Sequence, residues 1–294
     1  MDNKIKAGIL YGLGAYGLWG ILPIYWKQVH HVPALEILAN RFIWSLFFVF
    51  LLILCLNKKD EFIEETKNIF STTKSSMVMI LAAVMITFNW GIFIWAVEDG
   101  RIMETSLGYY INPMMNVLLG VVFLKERLTK LQWTAVGFAC AGIMAMVIRA
   151  GYLPWVSIVV PLSFAIYGLL KKFIQVSPFS SIMLETMIIS PLALGYLGYL
   201  AVNGKNAYQL YDAVTIIYLI GAGAVTATPL LLFTACAKRL PLNLVGFLQY
   251  LAPTISMIIG IFMYGEAFTS THAITFSCIW VGVAIFSWSQ FKHI

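Results

Sequence analysis

Ten apolar stretches, each near twenty residues long, follow one another along this chain of 294 residues. They run roughly from 7 to 27, 34 to 56, 77 to 97, 104 to 124, 132 to 149, 154 to 170, 181 to 202, 213 to 237, 242 to 264 and 272 to 290. A helix rises about 1.5 Å per residue and the hydrocarbon layer of a bilayer is about 30 Å thick, so roughly 20 apolar residues make a spanning helix. Only 11% of the residues are charged, against about 25% in a soluble domain. The pattern predicts an all-α polytopic membrane protein of ten transmembrane helices. The segment 7–27 reads as the first of these rather than as a cleaved leader, because no small-residue cleavage site follows it.

Little chain is left over for other chemistry. The longest polar stretch, 57 to 76, is too short and too charged for a second domain. His30, His31, His272 and His293 fall in loops or termini, and no HExxH, Walker loop, GxGxxG or GxSxG motif occurs. Cys55, Cys140, Cys236 and Cys278 sit in or beside apolar segments without metal-site or redox spacing. The chain therefore reads as a protein that is not an enzyme and needs no cofactor or metal.

The net charge of +6 is a topology signal, not a nucleic-acid one. With the N-terminus inside, the inner side receives Lys4, Lys6, Lys58, Lys59, Lys67, Lys74, Lys125, Arg127, Lys130, Lys171, Lys172, Lys238, Arg239 and Lys292. The outer side receives only Lys27, Arg101, Arg149 and Lys205. Cationic loops resist translocation, so both termini are expected in the cytoplasm.

The chain also repeats itself. Residues 107 to 146 align without gaps onto 247 to 286, matching Tyr110 with Tyr250, Pro113 with Pro253, Gly120 with Gly260, Glu126 with Glu266 and Gly142 with Gly282. Tyr16-Gly17-Leu18 resembles Tyr167-Gly168-Leu169, and Leu35-Glu36 resembles Leu184-Glu185. Two repeats follow, 1–150 and 151–294. Each holds five helices, and because five is odd the second must enter the bilayer from the opposite side. Two inverted copies can exchange conformations, which makes alternating access around a site between them a natural consequence.

Polar groups at membrane depth are costly and mark candidate sites. Trp19, Asn89, Trp90, Tyr109, Tyr110, Asn112, Asn116, Tyr167, Gln249 and Tyr250 are the expected lining of a substrate cavity. The other reading of the amides is that they tie helices together, at about 1 kcal/mol each. Pro113, Pro161, Pro191, Pro229 and Pro253 lie inside helices, where each frees a carbonyl in the preceding turn; the matched pair Pro113 and Pro253 are candidate hinges. Small residues on one face, Gly8, Gly12 and Gly20 in the first helix and Gly137, Ala141 and Ala145 in the fifth, are expected to pack. Trp26, Trp133 and Tyr264 fit the interfacial belt.

Arg41 stands apart as a basic residue about seven positions into the second span. It either snorkels to the surface or has a buried partner. Glu104, opening the fourth span from the same side, is the best candidate for that partner. Glu36, Arg41, Glu104 and Glu185 are the expected gating or ion-pair residues.

The stretches NWGIFIWAVEDG at 89–100, ETSLGYYINPMMNVLLGVVFLKERL at 104–128, LETM at 184–187, LVGFLQYLAPT at 244–254 and FMYGE at 262–266 together resemble the RarD family of EamA-type permeases, in the drug/metabolite transporter superfamily. The resemblance spans about Gly8 to Phe286. It implies ten helices around a central cavity, and a permease for a small organic solute in the bacterial inner membrane, with efflux favoured over uptake. The family name carries an association with chloramphenicol. A secondary transporter whose partners are that solute and the lipid bilayer, with an unspecified coupling ion, is the leading reading; a passive channel or a non-transporting scaffold is the alternative.

Overall fold

A computed structural model describes residues 3–99, 101–151, 155–265 and 270–292. Thirteen α-helices carry the described chain, with no strand among the described residues: α1 (Asn3–Trp26), α2 (Ala34–Cys55), α3 (Lys59–Phe70), α4 (Thr73–Glu98), α5 (Ile102–Leu124), α6 (Lys130–Ala150), α7 (Val156–Phe173), α8 (Pro178–Val202), α9 (Ala207–Leu210), α10 (Ala213–Ala237), α11 (Leu242–Gln249), α12 (Leu251–Tyr264) and α13 (Ser270–Lys292). Eight apolar stretches among the described residues are long enough to cross a membrane, and Gly108–Leu124 and Ala273–Ser289 form two shorter apolar helices. This is a multi-pass membrane protein.

Local chemistry sets the helix ends. Thr129 and Gln132 form a reciprocal capping box at the start of α6, satisfying two amides that a helix N-terminus leaves unpaired. Ser177 caps α8 with Pro178 in its first turn, and Asp212 caps α10 through the Thr215 amide. At equivalent places in the repeat, α5 ends on a left-handed Lys125 and α12 on a left-handed Gly265, whose amides bond the carbonyls of Gly120 and Gly260. The polar stretch 57–76 holds an unforeseen helix, α3, with Asp60 and Glu61 in its first turn and Lys67 in its last. That order suits the helix dipole.

Two ends of the bundle are defined by contacts. At one end Glu65 of α3 accepts bonds from Ser177, Lys172 donates to Leu240 O, and Glu126 accepts from the amides of Leu242 and Asn243. This is the basic end. At the far end Glu36 accepts from the Ala207 amide, Tyr211 donates to His31 O, and the Lys27 ammonium lies over Tyr264.

Helix pairing follows one scheme. Set α1, α2, α4, α5 and α6 in order against α7, α8, α10, α11–α12 and α13. The packing of α1 on α10 then mirrors that of α4 on α7; α1 on α11 and α12 mirrors α5 on α7; α2 on α10 mirrors α4 on α8; and α6 on α13, α2 on α8 and α5 on α11 map onto themselves. The glycines enforce close approach at these crossings. A Cβ on Gly8 or Gly12 would collide with Leu240 or Leu248, one on Gly20 with Ile255, and one on Gly223 with the backbone of Trp44. Gly137 departs from expectation: nothing lies within 4 Å of its Cβ position, and the close contact on α6 is made by Gly142.

The matched prolines behave differently in the two halves. α5 runs unbroken through Pro113, whereas the chain around Pro253 is split at Tyr250 into α11 and α12. The same residue type at the same repeat position thus lies within an unbroken helix in one copy and three residues after a break in the other.

Candidate functional site

Four helices, α2, α4, α8 and α10, surround a space near the centre of the bundle. Phe42 and Ser45 come from α2, Ile86 and Trp90 from α4, Ile182, Glu185 and Thr186 from α8, and Thr226 and Leu230 from α10. It barely has room for one water. A drug-sized solute needs roughly 300–1,000 Å³, so the four helices must part to admit one.

The far-end wall of this space is cationic. Arg41 of α2 donates from Nε to Thr226 Oγ1 at 3.0 Å. Its guanidinium carbon lies 4.1 Å from the Trp90 ring centroid and 4.8 Å from that of Trp26. Three helices other than its own therefore hold the group, and it does not simply snorkel. Trp26, expected in the interfacial belt, spends its ring face on this cation. Tyr109 lies within electrostatic reach of Arg41, keeps 47% of its surface accessible and meets Phe93 edge-on. The side chain of Glu104, the expected partner, lies outside the described residues.

The basic-end wall is a buried ion pair. Lys171 of α7 has no exposed surface, and its ammonium contacts Glu185 of α8 and donates to Ser181 Oγ at 2.8 Å. Ser181 donates to the same carboxylate oxygen at 3.1 Å, and the other oxygen accepts from the Tyr167 hydroxyl at 3.0 Å. Every oxygen of the carboxylate is engaged, as a buried charge requires. Sequence reasoning put Lys171 in a loop; it is the last-turn lysine of α7. Just outside, Lys238 contacts Val176 O, and burial, aided by the nearby Lys171 charge, pushes its ammonium down to about 8.

Between the two walls and α1 lies an aromatic cluster. Trp19 meets Tyr16, Phe164 and Phe233, and Tyr167 stacks on Phe233 at 5.9 Å. The repeat-related Tyr16 and Tyr167 thus converge on one ring.

The remaining expected residues gather elsewhere. Asn89 donates to Val160 O at 2.7 Å and to Ser163 Oγ at 3.0 Å, tying α4 to α7. Asn116 donates to Gln249 Oε1 at 2.6 Å, tying α5 to α11. Tyr110 packs on Phe276 and Tyr250 on Phe247. Asn112 Oδ1, Asn116 Oδ1 and the Tyr250 hydroxyl are buried without a hydrogen-bond partner. Glu36 is buried and bonds the Ala207 amide at 2.6 Å, while Asn40 and Trp44 both bond the Tyr208 hydroxyl, at 2.5 and 2.7 Å. This row of polar contacts fastens the α8–α10 connection to the first turns of α2.

A larger hollow, about 490 Å³, is an open groove between α1 and α10. Its only polar side chains are those of Gln28, Tyr25, Tyr218 and Thr228, and the Tyr25 hydroxyl is committed to Tyr218 O at 2.5 Å. Size does not decide here: a groove without a charged group offers less chemistry than the small central space.

Comparison with known proteins agrees with the architecture. The EamA-like transporter family matches residues 6–148. The chain is 42% identical over 292 residues to the uncharacterized transporter YojE of Bacillus subtilis, covering 98% of this chain and 96% of that one. It is 40% identical over 287 residues to the protein RarD of Escherichia coli, covering 97% and 96%. A solved crystal structure superimposes with a TM-score of 0.74 over 98% of both chains at 16% identity, a likeness of fold.

Proposed function

The chain belongs to the EamA-like transporter family, among its RarD-type members, and from that membership we propose that it is a secondary transporter moving a small organic solute across the bacterial inner membrane by alternating access, with efflux favoured over uptake. Ten spans in two inverted five-helix repeats, 1–150 and 151–294, carry the movement, and both termini face the cytoplasm. The observation that bears most weight is the exchange symmetry of the helix pairing around a contracted central space. A pathway closed at both walls supports a carrier over a channel, because a passive pore needs a continuous wet path. The helix break before Pro253, with none at Pro113, supports two repeats held in different conformations, as an inverted-repeat carrier requires.

The test uses spin labels on cysteine pairs in a background lacking the four native cysteines. One pair, at Arg127 and Lys238, reports the basic end; another, at Lys27 and Lys205, reports the far end. In lipid, the two distances are expected to move in opposite senses as the population shifts with substrate or pH. Ends that stay fixed, or that widen together, would overturn the reading.

A further inference from the structure

We propose that Arg41 is the receptor for a single carboxylate on the transported solute, so that the substrate class is a small monoanion with an apolar, ring-bearing body. The inference rests on the transporter reading and specifies its site. Arg41 is held rather than merely buried: Nε is bonded to Thr226, and the guanidinium carbon lies over two indole rings, Trp90 at 4.1 Å and Trp26 at 4.8 Å from the centroids. Ring faces take up the π-side of a guanidinium but leave its in-plane N–H groups free. Neither Nη has a hydrogen-bond partner among the described residues, and neither is among their fully buried orphan atoms. The described ion pairs are Lys58–Glu61, Arg101–Asp99 and Lys171–Glu185, and none involves Arg41. A guanidinium fastened through Nε, with no ion-pair partner among the described residues, keeps its Nη donors for the fork-on-fork geometry of a carboxylate.

The charge balance of the site selects a monoanion. Among the described residues, the other cation near the central space, Lys171, is neutralised by the lining residue Glu185. A phosphate dianion would therefore leave one charge uncompensated beside the Glu185 carboxylate, whereas a monocarboxylate is matched by Arg41. Of the lining side chains, Phe42, Ile86, Ile182 and Leu230 are hydrocarbon and set the body of the solute, beside the polar Ser45, Thr186 and Thr226. The half-exposed ring of Tyr109, set edge-on to Phe93, adds a further aromatic surface to this region.

The test is binding to the full chain in lipid nanodiscs, read as quenching of tryptophan emission, since Trp26 and Trp90 flank the receptor. Phenylacetate, phenylacetamide and phenethylamine present one body with an anionic, a neutral and a cationic head. Phenylacetate is expected to bind at least about tenfold more tightly than the amide, the scale of one charge-assisted bidentate contact. Arg41→Gln is expected to bring the two within about twofold, and Arg41→Lys to keep a reduced preference because an ammonium cannot offer the fork. No phenylacetate binding, equal affinity of the wild type for acid and amide, or an undiminished preference in Arg41→Lys overturns the assignment, and these readouts do not require the Gln variant to fold. The spin-label distances do not depend on these probes. A failed preference beside opposed end movements would remove the receptor and leave the transporter; a clear preference beside fixed ends would do the reverse.

Discussion

Gly142 and Gly282 stand at the same place in the two repeats, and each presses against the carbonyl that the other helix offers at its own matched position. A Cβ on Gly142 would fall 2.9 Å from Thr275 O, and one on Gly282 would fall 2.8 Å from Ala135 O. Thr275 and Ala135 are themselves partners in the repeat alignment. The crossing of α6 and α13 is therefore one contact made twice, related by a local two-fold axis, and Thr275 adds a hydrogen bond to Gly142 O at 3.1 Å.

The equivalence sets an expectation for stability. Gly142→Leu and Gly282→Leu should each cost about 1–3 kcal/mol, because backbone on both sides prevents relaxation. Gly137→Leu, one helix turn away in open space, should change stability by no more than about 0.5 kcal/mol. Thermal unfolding in detergent measures all three. A large gap between the first two would show that the crossing is not a repeated unit.

Removing one member of the Lys171–Glu185 pair leaves a charge with no water to receive it. Glu185→Leu or Lys171→Met alone should destabilise by about 3–5 kcal/mol, whereas the double variant Lys171→Met/Glu185→Leu should recover most of that loss. The double-mutant cycle is read from unfolding in detergent. Additive costs would mean that the two side chains act independently.

Glu126 closes the start of α11 by accepting from two amides, Leu242 at 2.6 Å and Asn243 at 2.9 Å. Glu126→Ala should weaken that cap by about 0.5–2 kcal/mol. Amide hydrogen exchange at 242 and 243 should accelerate, with the amides of α13 unchanged. Unaltered exchange at both positions would assign the closure of α11 to other contacts.

Lys238 supplies a pH dependence outside the spans. Its folded value of about 8 lies below the ordinary lysine value of about 10.4. Between those two values the unfolded chain binds the proton and the folded chain does not, so stability rises with pH across that window and is lower, and flat in this respect, below it. The difference in melting temperature between the wild type and Lys238→Met should therefore shift in favour of the wild type as pH climbs from about 8 to about 10. A difference that stays constant over that range would show that the ammonium is not depressed.

The helices themselves were legible because the bilayer imposes one length and one polarity on them. The stretch 213–237 coincides with α10, and most other ends fall within a few residues of expectation. Arg41 was legible for the same reason: a cation two turns inside an apolar run has to be explained. Lys171 was not. A lysine pair at the close of an apolar run lowers hydropathy equally whether it sits in a loop or faces a buried carboxylate, and Glu185 lies 14 residues further on, beyond any helical periodicity. The role of Trp26 was hidden in the same way, since a tryptophan at a helix end looks identical whether it anchors in lipid or covers a guanidinium. The amides were visible as polar, but whether Asn89 points to a backbone carbonyl or to a cavity depends on Val160 and Ser163 of a helix packed beside it. That is information about neighbours, which no single segment carries.

The buried pair of α7 and α8 also constrains how the protein is made. The two helices are consecutive and joined by only Ile174, Gln175, Val176 and Ser177, so their charged residues belong to one hairpin. A lone lysine or carboxylate at the centre of an inserting helix is opposed by about 2.5–3.5 kcal/mol. α7 synthesised by itself carries that opposition at its trailing edge, and α8 carries it near its leading edge. Brought together, Lys171 and Glu185 cancel as net charge before either reaches hydrocarbon. The hairpin is thus favoured to leave the translocon as a single body, with α7 waiting at the channel mouth until the ribosome has delivered the first turns of α8.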